Sequence, residues 1–237
     1  MIICIAMRYG SKRLPGKALI DLGGKNSIEM IINQLSSSRH QIVICCPEEE
    51  DGDPIYNFAT SIGARCYRGS LENVLERMVS AAESFSSESF IRVTGDDLFV
   101  DPIYLDALAT SHSGKNADIT FSDLPKGTES LVIKTSFGRK LLKSYGDSTE
   151  YWDRKRSPAW ENAKINFSPL SPIPADDNTF ALELDTKEDL EVIKKVIKKL
   201  ELSGVNQPFY LDDLIKLHSI DPFPHSRDPV DRTYFDS

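Results

Sequence analysis

The chain is poor in the residues that staple a fold or coordinate a metal: among 237 residues there are 4 Cys and 4 His. None of Cys4, Cys45, Cys46 and Cys66 belongs to a Cys-x-x-Cys pair, and His40, His112, His218 and His225 lack His-x-x-x-His spacing. The cysteines sit in strand-like apolar runs and read as buried, reduced thiols, and the histidines read as packing or surface residues. Long apolar runs are missing too. IVICC (42–46) and FALEL (180–184) fall far short of the roughly 20 residues a membrane span needs, so no membrane partner is expected. Arg8, Lys12 and Arg13 follow only the strand-like MIICIAM, which is not the pattern of an export signal, and a cytoplasmic protein is expected. Positive charge is in deficit. With 28 Lys+Arg against 36 Asp+Glu the net charge is −8, which repels a nucleic acid and leaves none expected as a partner. No internal repeat is apparent.

What is present is 40% hydrophobic and 27% charged residues, enough for one substantial core. Short apolar strands alternate with helical periods, the pattern of an α/β protein with a mostly parallel sheet flanked by helices. MIICIAM (1–7) and QIVICC (41–46) read as strands. Asp53-Pro54 starts a helix with Ile55, Phe58, Ala59 and Ile62 on one face, and Gly63 ends it. ARCYR (64–68) follows as a strand, and Ser70 is placed to cap a helix burying Val74, Leu75, Met78, Val79 and Ala82. FIRVT (90–94) is a fourth strand, and Asp101-Pro102 is an N-cap with proline at N1 for a helix to about His112. DITF, SLVIK and KINFSPL are strand-like, separated by TSFGRKLLKS and by a polar stretch around Trp152 and Trp160. FALEL reads as a strand, Thr186 as the cap of a helix burying Leu190, Ile193, Val196, Ile197 and Leu200, and LDDLIKLH as a last short helix. The whole chain, 1–237, reads as one domain, with 118–178 a subregion and 220–237 an irregular tail.

The densest chemical signal is RYGSKRLPGK, which places Arg8, Lys12, Arg13 and Lys17 in a glycine-punctuated loop directly after the first strand. In an open α/β sheet ligands bind beyond the carboxyl ends of the strands, where this loop lies. Gly10 and Gly16 permit close backbone approach, and amide groups near Ser11 suit phosphate oxygens. It is not a Walker loop: five residues separate the two glycines and Ala18 follows Lys17. Nor does a Gly-x-Gly-x-x-Gly fingerprint occur, since the chain continues after Lys17 as extended ALIDL. A solvated surface loop is the plainer alternative.

Two further signals are aspartates at strand ends, Asp96 in Gly95-Asp96-Asp97 and Asp185 after FALEL. On parallel strands they would emerge on the same sheet edge as the basic loop. Two carboxylates are the hard ligands that Mg²⁺ takes while phosphate and water fill its other positions. Each aspartate alone reads equally well as a turn or cap residue.

Taken in order, Arg8-Tyr-Gly-Ser-Lys-Arg-Leu-Pro-Gly-Lys17, Leu22-Gly-Gly-Lys25, Tyr67-Arg-Gly-Ser70, Val74-Leu75-Glu-Arg77, Arg92-Val-Thr-Gly-Asp96, Asp101-Pro102 and Asp185-Thr-Lys-Glu-Asp-Leu190 resemble the cytidylyltransferase-type spore-coat polysaccharide biosynthesis F-protein family. More distantly the chain is similar to the cytidylyltransferases of deoxy-manno-octulosonate and acylneuraminate. The resemblance covers about 1–110 well and 178–200 moderately. It implies a nucleotide-diphospho-sugar transferase-like (Rossmann-like) fold and CMP transfer from CTP to an anionic sugar-type acceptor, with pyrophosphate released. By motif position it implies that Arg8, Gly10, Ser11, Arg13 and Lys17 hold the nucleotide, with Ser70 and Arg77 near base and ribose. Arg13 and Lys17 are the implied catalytic cations, and Asp96 and Asp185 the implied Mg²⁺ ligands. It also implies a homodimer paired through about 120–175. The chain departs from the family where Asp97-Leu98-Phe99 replaces a proline after the Gly-Asp pair, where Leu131 stands at a glutamate position, and where Lys155-Arg-Ser-Pro158 replaces an Arg-Glu-His element. That altered acceptor half keeps two other readings in view, a nucleotide-binding partner without turnover and a glycosyltransferase using a finished nucleotide sugar.

Overall fold

The computed structural model describes residues 1–145, 162–170 and 180–223. The stretch around Trp152 and Trp160, the Lys155–Pro158 element and the tail from residue 224 lie outside the described residues. Seven strands form one sheet: β1 (Ile2–Ala6), β2 (Gln41–Pro47), β3 (Cys66–Gly69), β4 (Ser89–Thr94), β5 (Ile119–Phe121), β6 (Leu131–Lys134) and β7 (Ile165–Phe167). Their order is β3-β2-β1-β4-β6-β5-β7. β3, β2, β1 and β4 run parallel, β6 is antiparallel to β4 and β5, and β7 is parallel to β5. The sheet is the mixed, mostly parallel one expected.

Period-2 alternation explains why both faces of β1 are covered. Ile3, Ile5 and Met7 enter one core and Ile2 and Cys4 the other, and burying an isoleucine fully contributes about 1.5–3 kcal/mol. The first core lies under α1 (Ser27–Leu35), α2 (Asp53–Ser61), α4 (Pro102–Lys115), α6 (Lys187–Leu202) and α7 (Leu211–Ile220). The second lies under α3 (Val74–Ser84) and α5 (Thr135–Tyr145). The chain therefore switches faces between the crossovers leading to β2 and β3 and the one leading from β3 to β4. Cys4, Cys45 and Cys46 are buried and all four thiols are reduced, and burial pushes Cys46 and Cys66 up to about 11, so they stay protonated and inert.

Several local signals hold. Asp101 caps α4 by accepting from the Ile103 amide at 2.7 Å, and its other oxygen accepts from the Leu211 amide at 2.8 Å, tying α7 to the same carboxylate. Thr186 and Asp189 form a reciprocal capping box at α6. α4 runs on to Lys115, past His112. Four expectations are corrected. Asn73, not Ser70, caps α3, accepting from the Glu76 amide at 2.9 Å, while Ser70 forms a preceding turn by accepting from the Asn73 amide at 3.0 Å. ALIDL is not extended: Lys17–Leu19 is a 3₁₀ turn leading to α1, a helix absent from the sequence reading. TSFGRKLLKS is helix α5, whose Gly138 weakens the helical signal but lets the backbone press on Val79 of α3, 2.6 Å from where a Cβ would lie.

The fourth correction concerns FALEL, which is no strand of the sheet. Residues 180–185 run extended across its carboxyl edge, bridging Ala181 to Lys126 and Glu183 to Asp97. The Leu182 amide donates to the Lys126 carbonyl at 3.0 Å and the Leu184 amide to the Asp96 carbonyl at 3.1 Å, while Phe180, Leu182 and Leu184 are buried in the first core. This crossing depends on Gly127, which has φ +86° and whose added Cβ would lie 2.4 Å from the Leu182 carbonyl carbon.

Gly127→Ala is expected to destabilise the protein by about 1–3 kcal/mol through combined strain and overpacking, measured as a lowered urea midpoint. His112 is a packing histidine: it is buried, joins Ser89 Oγ at 3.1 Å and Thr120 Oγ1 at 2.9 Å, and burial pulls its pKa from 6.5 down to about 4. Between those values the unfolded chain takes the proton and the folded chain does not, so stability present above pH 6.5 is lost as pH falls towards 4. The stability gap between wild type and His112→Gln should therefore shrink by about 3 kcal/mol across that window, read from urea titrations at each pH.

Candidate active site

Strand order reverses direction between β1 and β4, the switch point where an open α/β sheet leaves a crevice. A cleft of about 510 Å³ opens there. Its floor is the paired ends of β1 and β4, where the Gly95 amide donates to the Ala6 carbonyl at 3.0 Å. One wall is the loop after β1, with Arg8, Ser11, Lys12, Arg13 and Lys17; the others carry Val74 and Arg77 from α3, Arg92 and Thr94 from β4, and Asp96 and Asp185.

The loop is folded by its own backbone. The Tyr9 carbonyl accepts from the Ser11 and Gly16 amides at 2.9 and 3.0 Å, and the 3₁₀ turn at Lys17 is held by the Ser27 hydroxyl, which donates to the Lys17 carbonyl at 2.7 Å. Lys17 Nζ then reaches both carboxylates, donating to Asp96 Oδ2 at 2.5 Å and Asp185 Oδ1 at 2.9 Å. Arg13 Nη2 donates to the other oxygen of Asp185 at 2.7 Å. Burial alone would lower the Lys17 pKa, but the Asp96 charge and then Asp185 outweigh it and raise it, so the group is an ammonium. Asp185 is buried and Arg13 is 61% exposed in its side chain, so the Lys17 contacts are the stronger part of the cluster. The chain thus brings together residues 13, 17, 96 and 185.

Two further site residues stand behind the walls. Gly10 faces the Asp51 carboxylate, and an added Cβ would lie 2.4 Å from its Oδ1. Close approach at Gly10 therefore serves the packing of the loop on the turn after β2. Ser70 acts on Arg77, whose Nη1 donates to the Ser70 carbonyl at 2.9 Å. Arg77 is buried, its Nε has no hydrogen-bond partner, and desolvation pulls its pKa down from the ordinary arginine value. Asp97, next to Asp96, is buried; burial first, then the Asp96 and Glu129 charges, push its carboxyl well above the usual range against a Thr94 hydrogen bond. Lys12, Val74, Arg92 and Thr94 also line the cleft without having been singled out as site residues; the alternation of β4 was the signal for Arg92 and Thr94, which share one face two residues apart.

Fold and cleft together define a mixed-sheet α/β protein with a cationic loop and two aspartates at the sheet's switch point, an arrangement suited to a phosphate-bearing ligand. The model of the cytidylyltransferase family matches residues 2–207, and the chain belongs to that family. It is 29% identical over 235 residues to the spore coat polysaccharide biosynthesis protein SpsF of Bacillus subtilis, covering 94% of this chain and 95% of that one. It is 25% identical over 183 residues to the 3-deoxy-manno-octulosonate cytidylyltransferase of Vibrio parahaemolyticus, with 69% and 68% covered. A solved cytidylyltransferase from Leptospira borgpetersenii superposes with a TM-score of 0.81 at 24% identity, covering 93% of this chain and 94% of that one. Among the described residues no helix is long and apolar enough to cross a membrane.

Arg77→Met removes a buried cation with an orphaned Nε and should leave the melting temperature unchanged or raised in calorimetry. A drop of more than a few degrees would assign Arg77 to packing.

Proposed function

We propose that this cytidylyltransferase uses Mg²⁺ to move CMP from CTP onto a hydroxyl of an anionic sugar-type acceptor, in surface polysaccharide biosynthesis. The observation that carries the reading is the convergence of Lys17 and Arg13 with Asp96 and Asp185 at 2.5–2.9 Å in the switch-point cleft. The acceptor class is supported by the similarity to a 3-deoxy-manno-octulosonate cytidylyltransferase, and the pathway by the similarity to SpsF. CTP supply places the reaction in the cytoplasm.

The donor set suits magnesium. Asp96 and Asp185 reach a common cation, and Mg²⁺ takes one or two carboxylates with phosphate and water completing its octahedron. Among the described residues no three metal-ligating side chains converge, so phosphate oxygens and water would supply the rest. Bound there, Mg²⁺ supplies charge neutralisation and acidifies the attacking hydroxyl.

The chain's own residues do the remaining work by position and charge. Arg8, Ser11, Lys12, Arg13 and Lys17 take the triphosphate along one wall, with Arg77 across the cleft towards the nucleoside. The acceptor oxygen bonds to the α-phosphorus as the bond from that phosphorus to the bridging oxygen breaks. The hydroxyl proton passes to water, and pyrophosphate leaves with the electron pair. Charge grows on the bridging oxygen, where Arg13 and Lys17 stabilise it. Gly10 and Ser70 serve the nucleotide through the loop and through Arg77. A homodimer completes the reading, paired through the region of about 120–175.

With CTP, Mg²⁺ and a panel of sugar acids, pyrophosphate release is expected, and Asp96→Ala should lower it by at least about a hundredfold. Absence of any CTP-induced rise in melting temperature would overturn the proposal.

A further inference from the structure

Lys17 bridges the two aspartates read above as metal ligands, holding one oxygen of each. Its Nζ is 2.5 Å from Asp96 Oδ2 and 2.9 Å from Asp185 Oδ1. A divalent ion taking its carboxylate ligands from these two residues would compete with Lys17 for the same oxygens. An ammonium and a dication cannot both hold them, because like charges so close together repel strongly. Arg13 engages the remaining oxygen of Asp185, so both carboxylates are committed to cations of the chain itself.

We infer that Lys17 is a displaceable internal cation that keeps the metal position closed, so that a nucleoside triphosphate opens it and nucleotide and metal bind cooperatively. This rests on the reading of Asp96 and Asp185 as metal ligands. The backbone of Lys17 is fixed by its 3₁₀ turn and the Ser27 hydroxyl, so only the four-carbon side chain has to move. A triphosphate lying against Arg8, Ser11, Lys12 and Arg13 brings competing oxygens within that side chain's reach. Once the ammonium turns to phosphate, Asp96 and Asp185 face each other without it and the dication takes its place. By linkage each ligand raises the affinity for the other by the same factor.

The test uses Mn²⁺ alone, followed by electron paramagnetic resonance of the free ion and by melting temperature, on wild type, Lys17→Met and Lys17→Met/Asp96→Asn. The single variant should bind Mn²⁺ about 5–150-fold more tightly than wild type, the usual range of such couplings, and be stabilised by it where wild type is not. The double variant should lose that gain. Lys17→Gln replaces Lys17→Met if the latter does not fold by circular dichroism. Equal Mn²⁺ affinity in wild type and the Lys17 variant, or a gain that survives Asp96→Asn, overturns the inference. Neither result touches the proposed function, which stands or falls on CTP binding and pyrophosphate release.

Discussion

One ammonium group organises the working end of this molecule. Lys17 draws together two carboxylates that are 89 positions apart in the chain and belong to different structural layers. Without a cation between them, two carboxylates at such a distance would push each other apart or take up a proton. With it, burial that would otherwise disfavour the lysine's charge is outweighed by its two partners. The cluster keeps the edge of the cleft polar and charged while the sheet beneath it stays apolar. Its members are held at the mouth of the sheet by covalent geometry on one side, the β1 loop, and by hydrogen-bonded backbone on the other.

That second side is the less obvious part of the architecture. Asp185 is presented by an extended segment lying over the sheet edge, not by a strand within it. The segment is anchored at the Lys126 carbonyl and at the Asp96 carbonyl, so the backbone of one acidic residue fixes the height of the other. Asp97 lies beneath as a buried carboxyl with its affinity for the proton raised, and its backbone forms a β-bridge with Glu183 in the same crossing. The backbones that carry the two aspartates are therefore tied by main-chain hydrogen bonds, and Lys17 closes the remaining gap between their side chains. Membership of the cytidylyltransferase family gives this geometry its chemical context.

Much of this was legible in the sequence because local and global preferences agree. The apolar runs of β1, β2 and β4, the Asp101-Pro102 helix start and the Thr186 cap each had one reading, and the cationic loop, readable alone as a solvated surface loop, gained its other reading from its place after the first strand. The motif resemblance joined them into a fold that the structure reproduces. What was not legible depends on tertiary contact. FALEL alternates like a strand, yet the hydrogen bonds it makes go to loops, and alternation alone does not say which partner accepts them. Ser70 and Asn73 are both good N-caps; the turn at Ser70 and its carbonyl contact with Arg77 decide between them. α5 carries an interior glycine whose value lies in packing against α3, which local propensity counts as a penalty. Gly10 reads as a phosphate-approach glycine until Asp51 is seen behind it. Arg92 was given no site role although it opens the Arg92-Val-Thr-Gly-Asp96 motif and shares a strand face with Thr94.

The order in which the cluster's parts occur along the chain has a consequence for biosynthesis. The basic loop emerges from the ribosome first, Asp96 follows, and Asp185 arrives 89 positions after it. Until then Lys17 has only the Asp96 carboxylate to hold. The acidic pair is therefore completed only by the return of the chain across an edge formed from earlier residues.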